Sequence, residues 1–141
     1  VELPYTIKGM DFSFSGILTK VEQLIKSKQY SKEDLCYSVQ ETVFAMLTEA
    51  TERAIAHIDK EEVVVTGGVA SNQKLCNMLK TMCSERNVKF AAVPRLLATD
   101  NGAMIAMTGI LMHKAGLKNK IVETNINPYQ RTDQVDATWC K

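Results

Sequence analysis

The sequence predicts a helix-rich α/β fold, and three observations carry this. First, Val63-Val64-Val65 runs into Thr66-Gly67-Gly68-Val69-Ala70-Ser71-Asn72. The β-branched residues read as a buried strand. The paired glycines let the backbone turn sharply and let another molecule approach it, and Ser71 and Asn72 are good helix N-caps. Second, a short apolar run from Val88 to Val93 stops at Pro94, so residues 62–93 have the strand–helix–strand order and the length of a parallel crossover. Third, apolar residues recur at helical spacing over most of the chain before residue 60.

The elements follow in order. Residues 1–15 are a lead-in broken by Pro4 and Gly9. Phe12 and Phe14 alternate with serines there, which fits a short extended segment with one buried face. From Ile17 the spacing turns helical: Ile17, Leu18, Val21, Leu24 and Ile25 share a side, and the helix runs to about Lys28. Ser31 is a credible cap for the next helix, with Glu33 and Asp34 at its positive end. Its stripe runs from Leu35 through Val39, Val43, Met46, Leu47, Ala50 and Ala54 to Ile58, so the helix is about 27 residues or 40 Å long. After the strand at 62–66 and the glycine turn, a helix from about 71 to 86 carries Leu75, Met78, Leu79 and Met82. The second strand is 88–93, and the last helix covers about 100–115. Gly102, Ala106 and Gly109 recur at helical spacing there, which predicts close packing against that side. Residues 117–141 lack periodicity and read as a tail laid on a lobe formed by 1–116, its end anchored by Trp139.

Bulk composition narrows the class. With 141 residues, 45% hydrophobic and 23% charged, the chain has the size and balance of one globular domain or of part of one. A net charge of +1 provides no global basic field for nucleic acid. Of the four cysteines, Cys36, Cys76, Cys83 and Cys140, none forms a C-x-x-C pair. They read as reduced, mostly buried thiols, which points to an intracellular compartment. No apolar run is long enough to span a bilayer. The start, Val1-Glu2-Leu3-Pro4, has no signal pattern and no initiator methionine. The expectation is a chain that begins inside a larger protein.

Two places carry chemistry. At Gly67, Gly68 and Asn72 a strand, a glycine turn and a helix N-terminus together can meet a phosphate through backbone N–H groups. A tight strand-to-helix turn with an ordinary cap explains the same residues without a ligand. Neither the Walker pattern nor the third glycine of the dinucleotide fingerprint is present. At Thr99-Asp100-Asn101-Gly102, Asp100 is a carboxylate at a helix start. It could ligate a metal or hold a ribose hydroxyl, while simple N-capping by Thr99 or Asp100 explains it without a ligand. A divalent ion needs further ligands, and none is local in sequence. His57 and His113 are the only histidines, both near helix C-termini, and read as surface residues. Ser13 and Ser15 have no paired base to activate them. The methionines read as packing.

In combination these segments resemble a known family. Lys8-Gly9-Met10-Asp11-Phe12-Ser13-Phe14-Ser15-Gly16, Gln40-Glu41-Thr42-Val43-Phe44, the Gly67–Asn72 turn, Thr99-Asp100-Asn101-Gly102-Ala103-Met104-Ile105-Ala106, and Arg131-Thr132-Asp133-Gln134-Val135 to Trp139 occur in that order. The chain is similar to the C-terminal part of the tRNA threonylcarbamoyl adenosine transferases. That family includes the catalytic subunit of the KEOPS complex and was long labelled O-sialoglycoprotein endopeptidase or glycoprotease. The ending looks like its archaeal and eukaryotic cytosolic branch. The resemblance implies an actin-like fold of the sugar-kinase and Hsp70 class, with two ribonuclease-H-like lobes, of which this chain is most of the second. It implies that Asn72, with Gly67 and Gly68, contacts threonylcarbamoyl-adenylate or an ATP-like nucleotide. It makes Asp100 one ligand of a single divalent metal ion, whether iron, zinc or magnesium. The other ligands would be an H-x-x-x-H pair in the first lobe, absent from this chain. The implied reaction moves a threonylcarbamoyl group to an adenosine of tRNA beside the anticodon, with no catalytic residue inside this fragment. The implied partners are tRNA and the kinase-like and small KEOPS subunits, in the cytoplasm or nucleus and away from membranes. A partner-binding lobe without chemistry is the alternative. A metallopeptidase ranks last, because no H-E-x-x-H is present. Cys76 stands where the family commonly has arginine, and Ala98 where it often has cysteine.

Overall fold

The computed structural model describes residues 1–140. They form two compact units, Val1–Ala98 and a second beginning at Thr99.

The first unit opens with a small antiparallel hairpin, β1 (Ile7–Lys8) and β2 (Asp11–Phe12), with Ile7 opposite Phe12 and Lys8 opposite Asp11. Gly9, at φ +62°, makes the turn. The expected buried face does not exist: Phe12 and Phe14 are both exposed, their rings 5.1 Å apart and tilted by 35°. Strands of two residues are too short to present a face to a core. Polar contacts hold the hairpin region instead. Tyr5 donates to Glu49 Oε2 at 2.5 Å, Arg53 donates to the Gly9 carbonyl at 2.7 Å, and Arg53 pairs with Glu49.

Helix α1 (Ser15–Ser27) starts two residues before the periodicity does and closes at Lys28, which takes a left-handed φ of 55°. Only Ile17 and Leu24 of its apolar side are buried; Leu18 and Ile25 stay exposed. Helix α2 (Lys32–Ile58) has the predicted 27 residues. Ser31 Oγ accepts from the Asp34 N–H at 3.0 Å and donates to the Asp34 carboxylate at 2.7 Å, so cap and first turn lock each other. The helix is buried on two sides rather than along one stripe. Leu35 and Met46 join Leu3, Ile17 and Leu24 in one cluster; Phe44 and Ile55 join Leu75, Leu79, Met82 and Cys83 in another. Val43 packs against both clusters, and Ile58, the predicted end of the stripe, is exposed.

Strands β3 (Glu62–Val65) and β4 (Lys89–Ala92) pair in parallel, Glu62 with Lys89 through Val65 with Ala92, as the crossover predicts. Helix α3 (Gln73–Glu85) connects them and buries Leu75, Leu79, Met82 and Cys83. Burial pushes the Cys83 thiol pKa up. The fully buried strand is not what forms. Val63 and Val65 pack against the α2–α3 cluster, whereas Val64 is 66% exposed, because the described residues cover only one face of a two-stranded sheet. After Pro94 a single helical turn, α4 (Arg95–Ala98), forms on the Pro94 carbonyl, which accepts from Leu97 and Ala98 at 2.8 and 3.0 Å.

The second unit is α5 (Gly102–Lys114) and an irregular stretch with three short 3-10 turns. Among the described residues, the close packing predicted for the Gly102–Ala106–Gly109 side is not found. A Cβ built on either glycine meets nothing within 4 Å. The last turn, Thr138–Cys140, lies against α5 with Trp139 partly buried, as expected of its anchor. All four cysteines are free, but the expectation of mostly buried thiols fails, since Cys36 and Cys140 are exposed and only Cys83 is buried.

Met46→Ala removes a side chain with no exposed surface and should cost about 2–5 kcal/mol in urea denaturation. Desolvation, and then the bond to Glu49, push the Tyr5 pKa from 10.0 up to about 12. Tyr5 therefore contributes its full stabilisation below pH 10 and loses it as pH rises through about 12. An ultraviolet titration should show one late tyrosinate step that Tyr5→Phe removes.

Candidate functional site

The first site is the junction of β3 and α3. The Val65 carbonyl accepts from Val93 N–H at 3.0 Å, the last tie to the β4 side. The chain then turns at Gly67, whose φ of +91° and ψ of 171° strongly favour glycine. A 3-10 turn, Gly68–Ser71, follows, with Ala70 N–H bonded to the Gly67 carbonyl at 3.1 Å and Asn72 N–H to the Val69 carbonyl at 2.9 Å. Buried Ala70 pins the turn from below, and its carbonyl accepts from the Cys76 thiol at 3.0 Å. The N–H groups of Gly68 and Val69 open this turn, where helical geometry supplies no internal acceptor.

Gly68 differs from Gly67. Its φ is not positive, and a Cβ there would meet nothing within 4 Å. Neither backbone nor packing within the described residues demands glycine at this position. Close approach by another molecule would.

Asn72, not Ser71, caps α3, which therefore begins at Gln73 rather than near 71. Asn72 Oδ1 accepts from Lys74 N–H at 2.9 Å and from Leu75 N–H at 3.4 Å. The bland and the functional explanations thus take opposite ends of one side chain. The oxygen is committed to the helix, and Nδ2 has no acceptor among the described residues. Lys74, in the same first turn, is tied to Glu41 of α2 at 2.9 Å, and that hydrogen bond raises its pKa. Sequence reasoning missed this brace because nothing local links residues 41 and 74. It also missed α4, which packs against the Gly68–Ser71 turn. Pro94, a residue favoured at helix starts, was the available signal.

The second site is the start of α5. The cap is Asn101, whose Oδ1 accepts from Met104 N–H at 3.0 Å while its Nδ2 donates to the Thr99 carbonyl at 2.9 Å. Capping by Thr99 or Asp100 is thereby corrected. Asp100 is exposed and makes no hydrogen bond or ion pair with any described residue, so its carboxylate is not consumed by the helix. Among the described residues no three His, Cys, Asp or Glu side chains gather to hold a metal ion. His57 and His113 are exposed in the last turns of α2 and α5, as expected. No helix is long and apolar enough to cross a membrane, among the described residues. Asn72 belongs to the first unit and Asp100 to the second.

Residues 1–107 match the family described as TsaD, tRNA N6-adenosine threonylcarbamoyltransferase. A protein of that name from Thermococcus sibiricus is 55% identical over 139 residues, which cover 99% of this chain and 43% of the relative. One from Bos taurus is 48% identical over 143 residues, covering 99% of this chain and 43% of the relative. A relative from Methanocaldococcus jannaschii, named a probable bifunctional tRNA threonylcarbamoyladenosine biosynthesis protein, is 52% identical over 141 residues, or 100% of this chain and 26% of its own. The chain thus spans about two-fifths or less of these relatives' length.

The two ends of Asn72 can be separated experimentally. Asn72→Ala should cost about 1 kcal/mol of stability in thermal unfolding. Asn72→Asp and Asn72→Ser keep a capping oxygen and should stay within a few tenths of a kcal/mol of the parent, while both lose the amide donor.

Proposed function

Since the chain belongs to the tRNA N6-adenosine threonylcarbamoyltransferase family, we propose that it is the nucleotide-holding lobe, residues 1–116, and tail of such an enzyme. The fold this implies is one ribonuclease-H-like lobe of a two-lobed, actin-like protein; the helix-rich α/β architecture with its parallel crossover is consistent with it. The reaction would carry a threonylcarbamoyl group from its adenylate to the N6 amine of a tRNA adenosine. The amine nitrogen bonds to the carbamoyl carbon, the carbon–oxygen bond to phosphate breaks, AMP leaves with that oxygen, and the amine loses a proton.

The observation that carries this reading is Gly68, glycine without an internal reason beside a turn whose first N–H groups are open. Those N–H groups would hold the adenylate phosphate, and the α3 dipole adds to their pull. Gly68 would let the phosphate approach the backbone. Asn72 Nδ2 would donate to a ribose or phosphate oxygen while Oδ1 keeps the helix start in place. Their contribution is positioning, which lowers the barrier without bond-making side chains. The exposed, uncommitted carboxylate of Asp100 fits as one oxygen donor to a divalent cation. A bound cation would polarise the acyl phosphate. Histidines from outside these residues would complete its shell. With no catalytic residue of its own, this lobe depends on the rest of the protein, on tRNA and on kinase-like and small partner subunits in the cytoplasm or nucleus.

The test uses the full-length protein. Gly68→Val should weaken adenylate binding by about tenfold or more, equivalent to 1.4 kcal/mol, with an unchanged unfolding temperature. Asp100→Ala should lower bound metal, read by elemental analysis, and transfer to tRNA by about 100-fold or more. Normal nucleotide affinity in Gly68→Val, or normal metal content and transfer in Asp100→Ala, would refute the role assigned to that residue.

A further inference from the structure

The glycine turn and the helix behind it are separate pieces of structure. A continuous helix would carry the N–H groups of Lys74 and Leu75 back to the carbonyls of Ala70 and Ser71. Here both go to Asn72 Oδ1 instead, at 2.9 and 3.4 Å. Asn72 itself is extended, at φ −76° and ψ 114°, so the helical ladder stops there. The Ala70 carbonyl is left without a helical donor, on a residue only 4% exposed. A buried carbonyl that finds no donor is costly. The Cys76 thiol supplies one, Sγ donating to the Ala70 oxygen at 3.0 Å. The backbone N–H of the same residue donates to the Asn72 carbonyl at 3.1 Å. Cys76 therefore holds both sides of the break from the first turn of α3. That turn is itself fixed, because the neighbouring Leu75 and, one turn on, Leu79 are seated in the α2–α3 cluster.

We infer that Cys76 is a positioning residue of the nucleotide site. Its thiol sets the Gly68–Ser71 turn against α3, so that the open N–H groups of Gly68 and Val69 and the positive end of α3 meet one phosphate. The inference rests on the reading of this turn as the phosphate cradle. Cys76 acts through Ala70 and brings no charge of its own. A thiol is a weak donor, but the acceptor it serves is buried and has no other donor among the described residues. Backbone N–H groups hold a phosphate by their direction. A turn free to swing on the Asn72 break therefore loses its grip on phosphate and keeps its contacts with the nucleoside.

The experiment uses the full-length protein with AMP and adenosine as probes, which differ by the phosphate. Cys76→Ala should weaken AMP binding about tenfold in calorimetry and leave adenosine binding unchanged. Cys76→Ser keeps a donor on the same Cβ and should stay within about threefold of the parent for AMP. Hydrogen exchange without ligand gives a second reading. Amides 68–72 should exchange about tenfold faster in Cys76→Ala, while those of α3 from Leu79 onward keep their protection. Unchanged AMP affinity, an equal loss for AMP and adenosine, Cys76→Ser as weak as Cys76→Ala, or unaltered exchange at 68–72 would overturn the inference. A parent protein that binds AMP no more tightly than adenosine would overturn the phosphate reading on which the inference stands. A parent that prefers AMP, beside a Cys76→Ala variant with the same preference, would overturn the inference alone.

Discussion

The first unit depends on one helix being buried from two directions. Leu35 and Met46 of α2 close a cluster with α1 and the lead-in, while Phe44 and Ile55 close another with α3 and the sheet. Neither α1 nor the two-stranded sheet could bury its apolar side without that shared wall. Val43 touches both clusters, so no boundary runs between them. The same wall fixes the glycine turn. Leu75 and Leu79 hold α3 on α2, Glu41 braces Lys74 in the first turn, and Asn72 then stands where the helix begins.

Much of this was legible in the sequence, and the failures have identifiable causes. The bounds of α2 were readable because Ser31 is a strong cap and the apolar residues run unbroken behind it. The second face of α2 was not, because Phe44 and Ile55 find their buried partners on α3, 20 or more residues along the chain. The parallel crossover followed from order and length. Burial of Val64 was misjudged because a run of valines cannot say how many neighbours a strand has. The extended segment at Phe12 was read, but its pairing with Ile7–Lys8 was not, since the strands have two residues each and are held by Arg53 from far away and by Tyr5 beside them. The cap of α3 is Asn72, one of the two candidates read there, whereas the cap of α5 is Asn101 rather than Thr99 or Asp100. Each candidate offers a suitable oxygen, and only backbone geometry chooses among them.

That choice at α5 matters for chemistry. Had Asp100 capped α5, one of its carboxylate oxygens would be held by backbone N–H groups. With Asn101 in that position, structural duty and availability fall on adjacent residues. Asn72 solves the same problem inside one amide: one atom serves the fold and the other stays free. Of the paired glycines only Gly67 takes a positive φ, so backbone geometry asks for glycine at the first and not at the second.

Trp139 is the chain's single tryptophan, and it sits partly buried in the second unit where Thr138–Cys140 meets α5. Three of the four tyrosines, Tyr5, Tyr30 and Tyr37, lie in the first unit. Indole and phenol emission are spectrally distinct. Natural fluorophores therefore label the two units differently, and the order in which they melt can be followed in unmodified protein.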